Sequence, residues 1–138
     1  MKSPRARVWL GLWIAVIVAC VVPWIGWQDH SHWTRIGWVP FSSPPVRLRD
    51  IVINTVLYVP FGLFCLRALR PHWSGRAGFA MLWAIVLSVS TEASQIYSHG
   101  RFPSATDVMT NVIGAGLGVM LAKARFGPRV REIKTPGV

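Results

Sequence analysis

Apolar residues in this chain gather into four long runs, and the prolines, glycines and charges gather between them. The runs extend from Val8 to Trp27, from Ile51 to Leu69 past Arg67, from Ala77 to Tyr97 around Glu92, and from Val108 to Ala122. A helix of about 20 apolar residues crosses the roughly 30 Å of bilayer hydrocarbon. The first run meets that length directly; the second and fourth meet it when Asp50 and Asp107 count as their first turns. The pattern predicts spans over 8–27, 50–69, 77–97 and 107–122. The fold class is therefore all-α: an integral membrane protein with four transmembrane helices in a compact bundle.

The connections carry the breakers. Gln28 to Arg49 holds Pro40, Pro44 and Pro45, Arg70 to Arg76 holds Pro71 and Gly75, and Ser98 to Thr106 holds Gly100 and Pro103. Beyond the fourth run, 123–138 is a basic tail with Pro128 and Pro136. The composition agrees with a lipid-dissolved chain, since 52% of residues are hydrophobic and only 14% charged. A formal charge of +10 raises the question of nucleic acid, but the basic residues flank the apolar runs instead of forming one stripe, so no nucleic-acid partner is expected. Most of the tryptophans, among them Trp9, Trp24, Trp27 and Trp73, stand near run ends, where an indole sits among headgroups.

Short cytoplasmic loops retain Lys and Arg, and this sets an orientation. Lys2, Arg5, Arg7, Arg67, Arg70, Arg76, Lys123, Arg125, Arg129, Arg131 and Lys134 fall on one side, against Arg35, Arg47, Arg49 and Arg101 on the other. Both termini are expected in the cytoplasm. A rival for the first run is a lipoprotein signal cleaved before Cys20; the apolar stretch continues through Val21, Val22, Trp24 and Ile25, which suits an uncleaved span better. Cys20 and Cys65 fall at different depths, so no disulfide is expected between them. His30-Ser31-His32 stands without further nearby ligands, and His72 and His99 belong to other loops. No metal and no cofactor is expected.

Carboxylates are few: Asp29, Asp50, Glu92, Asp107 and Glu132. Asp50, Glu92 and Asp107 border or interrupt spans, where an ionisable group is costly and invites a functional reading. With the orientation above, all three reach the extracytoplasmic face. Each has an amide on its own helix face: Asn54 four residues after Asp50, Gln95 three after Glu92, and Asn111 four after Asp107. The helical rise sets Asn54 and Asn111 about 6 Å below their acids, close enough for one shallow pocket. Asp50 and Asp107 also suit the positive end of a helix dipole without any further role. Glu92 lies near a helix C-terminus, where an anion is disfavoured, so it either holds a proton or has a cationic partner, for which Arg101 is the candidate. Gly114 and Gly118 form a Gly-x-x-x-Gly spacing that brings helices close, and Pro60 with Gly62 is expected to bend the second helix and free a carbonyl near mid-membrane.

The ordered set Asn54-Thr-Val-Leu-Tyr-Val-Pro-Phe-Gly62, Glu92-Ala-Ser-Gln95, Arg101, and Asp107-Val-Met-Thr-Asn111 running into Gly114, Gly116 and Gly118 resembles the VanZ-like family of bacterial membrane proteins. The resemblance covers roughly 50–121; Tyr58 stands where phenylalanine is the commoner residue. It implies an association with reduced susceptibility to teicoplanin, a glycopeptide that acts on lipid-linked wall precursors outside the cytoplasmic membrane. It supplies no reaction.

The favoured reading is a non-enzymatic envelope protein. Asn54, Glu92, Gln95, Arg101, Asp107 and Asn111 would bind a membrane lipid, a lipid-linked wall precursor or a glycopeptide-type drug, with Arg101 contacting an anionic group. The alternative is an intramembrane enzyme acting on a lipid-linked substrate with Glu92 or Asp107 as acid or base; no Ser or Cys nucleophile with a base accompanies them. Transport through a carboxylate relay is weaker, because the acids gather at one face instead of forming a file across the membrane.

Overall fold

The computed structural model describes residues 4–42, 47–70 and 72–126. Among these residues it is all-helical: α1 (Pro4–Val21), α2 (Leu48–Ala68), α3 (Arg76–Gln95) and α4 (Ala105–Phe126), with a short 3-10 turn at Trp33–Arg35 and no strands. All four helices are long and apolar enough to cross a membrane. Residues 127–138, most of the expected basic tail, lie outside the described residues.

α1 stops at Val21, well short of Trp27, where its apolar run ends. Pro23 explains the difference: it has no N–H to continue the ladder, and it pushes the preceding Val22 out of helical backbone. Trp24, Ile25 and Trp27 are consequently loop residues, and all three are exposed. At the other end of the chain α4 runs past Ala122 to Phe126, carrying Lys123 and Arg125 in its last turn, where cations complement the negative dipole end. Arg67 of α2 lies 4.0 Å above the Phe126 ring, so the ends of α2 and α4 meet through a cation–π contact.

Lipid tails are as apolar as leucine, so these helices cannot be driven together by hiding large side chains from water. The burial pattern shows what they use instead. Leu12, Leu82, Trp83, Val56, Ile113 and Met120 point outward, while small residues face inward, including Ala80, Ala84 and Ser88 of α3 and Gly114, Ala115, Gly118 and Ala122 of α4. The tightest contact is α2 with α4. A Cβ added at Gly114 would fall on the carbonyl oxygen of Thr55, one at Gly118 on that of Val59, and one at Gly62 on that of Ala115. Thr55 and Val59 meet Gly114 and Gly118 in ascending order, so α2 and α4 run parallel, and a parallel neighbour requires an intervening antiparallel helix, which α3 supplies. Gly62 thus serves close approach; α2 is a single continuous helix through Pro60. Beside that proline, the Trp13 indole N–H donates to the carbonyl of Leu57 at 2.7 Å and fastens α1 to α2. α1 leans on α2 and leaves between itself and α3 an apolar groove of about 450 Å³, bordered by Leu10, Ile14, Phe61, Cys65, Phe79 and Trp83.

Gly114→Ala and Gly118→Ala should each force α2 and α4 apart and lower stability by about 1–3 kcal/mol. Gly116→Ala, whose Cβ would meet only Met81 Cε at 3.8 Å, should stay within about 0.5 kcal/mol of the parent protein. Reversible unfolding in detergent reads both outcomes.

Candidate functional site

Each inward-facing stripe of the bundle changes character along its length. On α3 it reads Ala80, Ala84, Ser88, Thr91, Glu92 and Gln95; on α4, from the other end, it reads Ala122, Val119, Ala115, Asn111, Thr110 and Thr106. α2 follows the same course, from Cys65 and Phe61 to Tyr58 and the half-buried Asn54. The helices alternate in direction, so the polar halves coincide at the end where α3 finishes and α2 and α4 begin.

Three pairings hold this end together. Asn54 Nδ2 donates to Asp107 Oδ1 at 2.8 Å, joining the second turn of α2 to the first turn of α4. Asn111 Nδ2 donates to Ser88 Oγ at 2.9 Å, joining α4 to α3, with both residues almost wholly buried. Glu92, 6% exposed, accepts the backbone N–H of Ser104 on Oε2 at 3.0 Å. Ser104 opens α4: its carbonyl accepts the amides of Asp107 and Val108, and its hydroxyl accepts that of Thr106. The Glu92 carboxylate therefore stands at the positive end of α4, which offsets its unfavourable place near the C-terminus of α3.

The expected partner of Glu92 is differently employed. Arg101 is exposed and its guanidinium donates to the carbonyl of Cys20 at 3.4 Å. Gln95 Nε2 donates to the neighbouring carbonyl of Val21 at 3.5 Å. Both side chains thus serve the open carbonyls at the end of α1, a helix with no basic residue in its own last turn. Among the described residues no Lys or Arg lies within ion-pair distance of a carboxylate; the one such contact is His30 with Asp29. Asp50 is exposed at the start of α2, close enough to Asp107 for the two charges to interact. Asp50-x-x-x-Asn54 and Asp107-x-x-x-Asn111 play unlike parts, since Asn54 joins Asp107 while Asn111 joins Ser88.

Ser88 and Thr91, to which the sequence assigns no role, also belong to this group, together with Tyr58, noted there only in place of phenylalanine, and Ser104, which opens α4. Helical spacing contained the signal for two of them: Tyr58 lies four residues after Asn54, and Ser88 four before Glu92. The Tyr58 hydroxyl is buried beside Ser88 and Thr91, and Asn111 Oδ1 is buried without a hydrogen-bond partner, the condition in which a polar atom costs most and most readily accepts one.

The α1–α2 connection closes over this end. Gln28 N–H donates to Tyr97 O (2.8 Å), His32 N–H to Ile96 O (3.0 Å), Gly37 N–H to Pro103 O (2.9 Å), and Ala105 N–H to Gly37 O (2.8 Å). Trp27 stacks on Tyr97 at 5.3 Å. Phe41, held at a left-handed φ of 61°, gives its N–H to Thr106 Oγ1 at 2.9 Å. This stitching corrects the expectation that the histidines stand apart: His30, His32 and His99 come together from two loops, with ligand-capable atoms within 4.8 Å of one another. Loop pairing between residues 28–32 and 96–98 is what sequence spacing cannot display. The hydrogen bond from His30 holds the Asp29 carboxyl below its usual range. Shielding from water keeps the His32 imidazole below its ordinary pKa, with Arg35, His99 and His30 acting in the same direction.

Four apolar helices with a polar, loop-covered end define a multi-pass membrane protein, not a water-soluble bundle. A model of the VanZ/LLP1 family matches residues 8–126, and the chain belongs to that family. No match emerges among curated proteins or among solved structures.

The Asn111–Ser88 bond lies between helices and away from the loops, so its worth can be isolated. A double-mutant cycle of Asn111→Ala and Ser88→Ala, followed by reversible unfolding in detergent, should give a coupling of about 0.6 kcal/mol and no more than about 1.7 kcal/mol, the range of interhelical hydrogen bonds in membranes.

Proposed function

We propose that the polar end of the bundle binds the headgroup region of a cell-envelope amphiphile: a membrane lipid, a lipid-linked wall precursor or a glycopeptide-type drug. The observation that carries this reading is the convergence of three inward stripes into one polar group whose carboxylate, Glu92, has a single backbone amide and, among the described residues, no Lys or Arg within ion-pair distance. Such a group suits hydroxyl, amide or amine donors of a headgroup, and the exposed Arg101 beside it suits an anionic one. Gln95, Asn54, Asp107 and Asn111 supply the remaining donors and acceptors, among them the unpartnered Asn111 Oδ1. Trp33, Trp38 and Phe41, all exposed in the covering loop, would rest among headgroups at the entrance. A role in the cell envelope, with lowered susceptibility to teicoplanin, is what the resemblance to the VanZ-like family implies.

Photo-crosslinkable lipid and wall-precursor analogues presented to the purified protein should label the wild type and lose most of that labelling in Glu92→Gln and Arg101→Ala variants that still fold. Equal labelling of all three proteins would sink the reading. Formation of a new product from labelled lipid, lost in Glu92→Gln, would replace it with the enzymatic alternative in which Glu92 and Asp107 act as acid and base.

In this reading the polar end faces out of the cytoplasm and both termini face in, in a bacterial cytoplasmic membrane; the placement of Lys and Arg supports this orientation. A fluorescent-protein fusion at the C-terminus should then glow, and an alkaline phosphatase fusion at the same place should be inactive; the opposite pair of results would invert the topology.

A further inference from the structure

Beyond the amphiphile-binding reading, and independent of it, we propose that His30, His32 and His99 form a binding site for one divalent d-block cation of the zinc, copper or nickel type. The three imidazoles converge from separate loops, with ring centroids 4.7 Å apart for His30 and His32, 5.3 Å for His30 and His99, and 4.4 Å for His32 and His99. Their potential ligand atoms lie within 4.8 Å of one another. Tetrahedral zinc, with Zn–N bonds of about 2.0–2.1 Å, needs its nitrogens about 3.3–3.4 Å apart. The remaining closure is a side-chain movement, because His30 and His99 are exposed and free to rotate toward the half-buried His32.

The backbone is already built for this. His32 N–H on Ile96 O, Gln28 N–H on Tyr97 O and the Trp27–Tyr97 stack fix the two loops beside each other without help from an ion. Two further observations point to a ligand. His32 Nδ1 is shielded from solvent and has no hydrogen-bond partner, which edge-on packing of the rings does not remedy. Asp29 Oδ1 lies 3.0 Å from His30 Nδ1, the carboxylate–imidazole pairing that orients a metal-binding histidine and leaves its Nε2 for the ion. Neutral imidazoles with no carboxylate directly in the ring of ligands favour zinc, copper or nickel over magnesium or calcium. Three protein ligands leave at least one position for water or an outside donor. A bound ion would tie the α1–α2 connection to the segment that ends in Ser104, and so brace the cover over Glu92.

Isothermal titration of the full-length protein, purified in detergent without a histidine tag, tests this directly. Zinc chloride should bind one ion per chain in the micromolar range or tighter, and magnesium chloride should not compete. His30→Ala and His99→Ala should each weaken zinc by at least about 100-fold and Asp29→Asn by about 10- to 100-fold. His72→Ala, in the connection between α2 and α3 at the opposite end of the bundle, should bind as the wild type does. Zinc should also raise the melting temperature of the wild type, and this rise should vanish in His99→Ala even though its metal-free melting temperature is unchanged. Absence of zinc binding by the wild type, undiminished binding by His99→Ala, or loss of binding in His72→Ala would overturn the proposal. Since binding is read without any lipid or drug, the amphiphile-binding reading stands or falls separately.

Discussion

Gly114 and Gly118 let the backbone of α4 lie against the carbonyls of Thr55 and Val59, and Gly62 returns the contact against Ala115. In hydrocarbon this approach carries a larger share of helix association than it would in water, because close packing and hydrogen bonding act there without a hydrophobic drive between helices. It also sets the longitudinal register of α2 against α4. A displacement of one residue along either helix would carry the glycines away from those carbonyls and part Asn54 from Asp107, which now meet at 2.8 Å. The polar end of the bundle is therefore a consequence of glycine packing in the middle of it.

Two helix termini with opposite dipoles then complete that end. The open amides of α4 begin at Ser104 and receive the Glu92 carboxylate, while the open carbonyls of α1 finish at Cys20 and Val21 and receive Arg101 and Gln95. An acid and a base that might have neutralised each other are instead divided between two dipoles, each favourable to its charge. That division leaves Glu92 with acceptor capacity and Arg101 with donor capacity toward a third party. The covering loop is held by main-chain bonds to the α3–α4 connection, and the same bonds gather three imidazoles from distant positions.

Much of this was legible in the chain before folding. Four helices, their order and the gathering of acids at one end follow from hydropathy and from the punctuation by proline and glycine. The motif from Asn54 to Gly62 and from Asp107 to Gly118 led to the family to which the chain belongs. Other features were legible only in outline. Asp50, Asn54, Asp107 and Asn111 look equivalent in sequence, but Asp50 is exposed while Asn111 is almost fully buried, because rotation of each helix about its axis is decided by its neighbours. Ser88 is given no role by the sequence, and Tyr58 shows there only as a replacement for phenylalanine, since a single hydroxyl in an apolar helix reads as a minor interruption until another polar group faces it.

The sequence by itself determined where the helices lie, how many cross, and which end of each carries polarity. Those properties come from the cost of putting peptide and charged groups into hydrocarbon, which is paid residue by residue and needs no partner. Only the tertiary structure decided that Glu92 takes the amide of Ser104 while Arg101 serves α1, that Gly62 meets Ala115, and that His99 joins His30 and His32. These depend on the approach of segments far apart in the chain, and that approach is governed by helix rotation, register and loop pairing, none of which leaves a periodic trace in the order of residues.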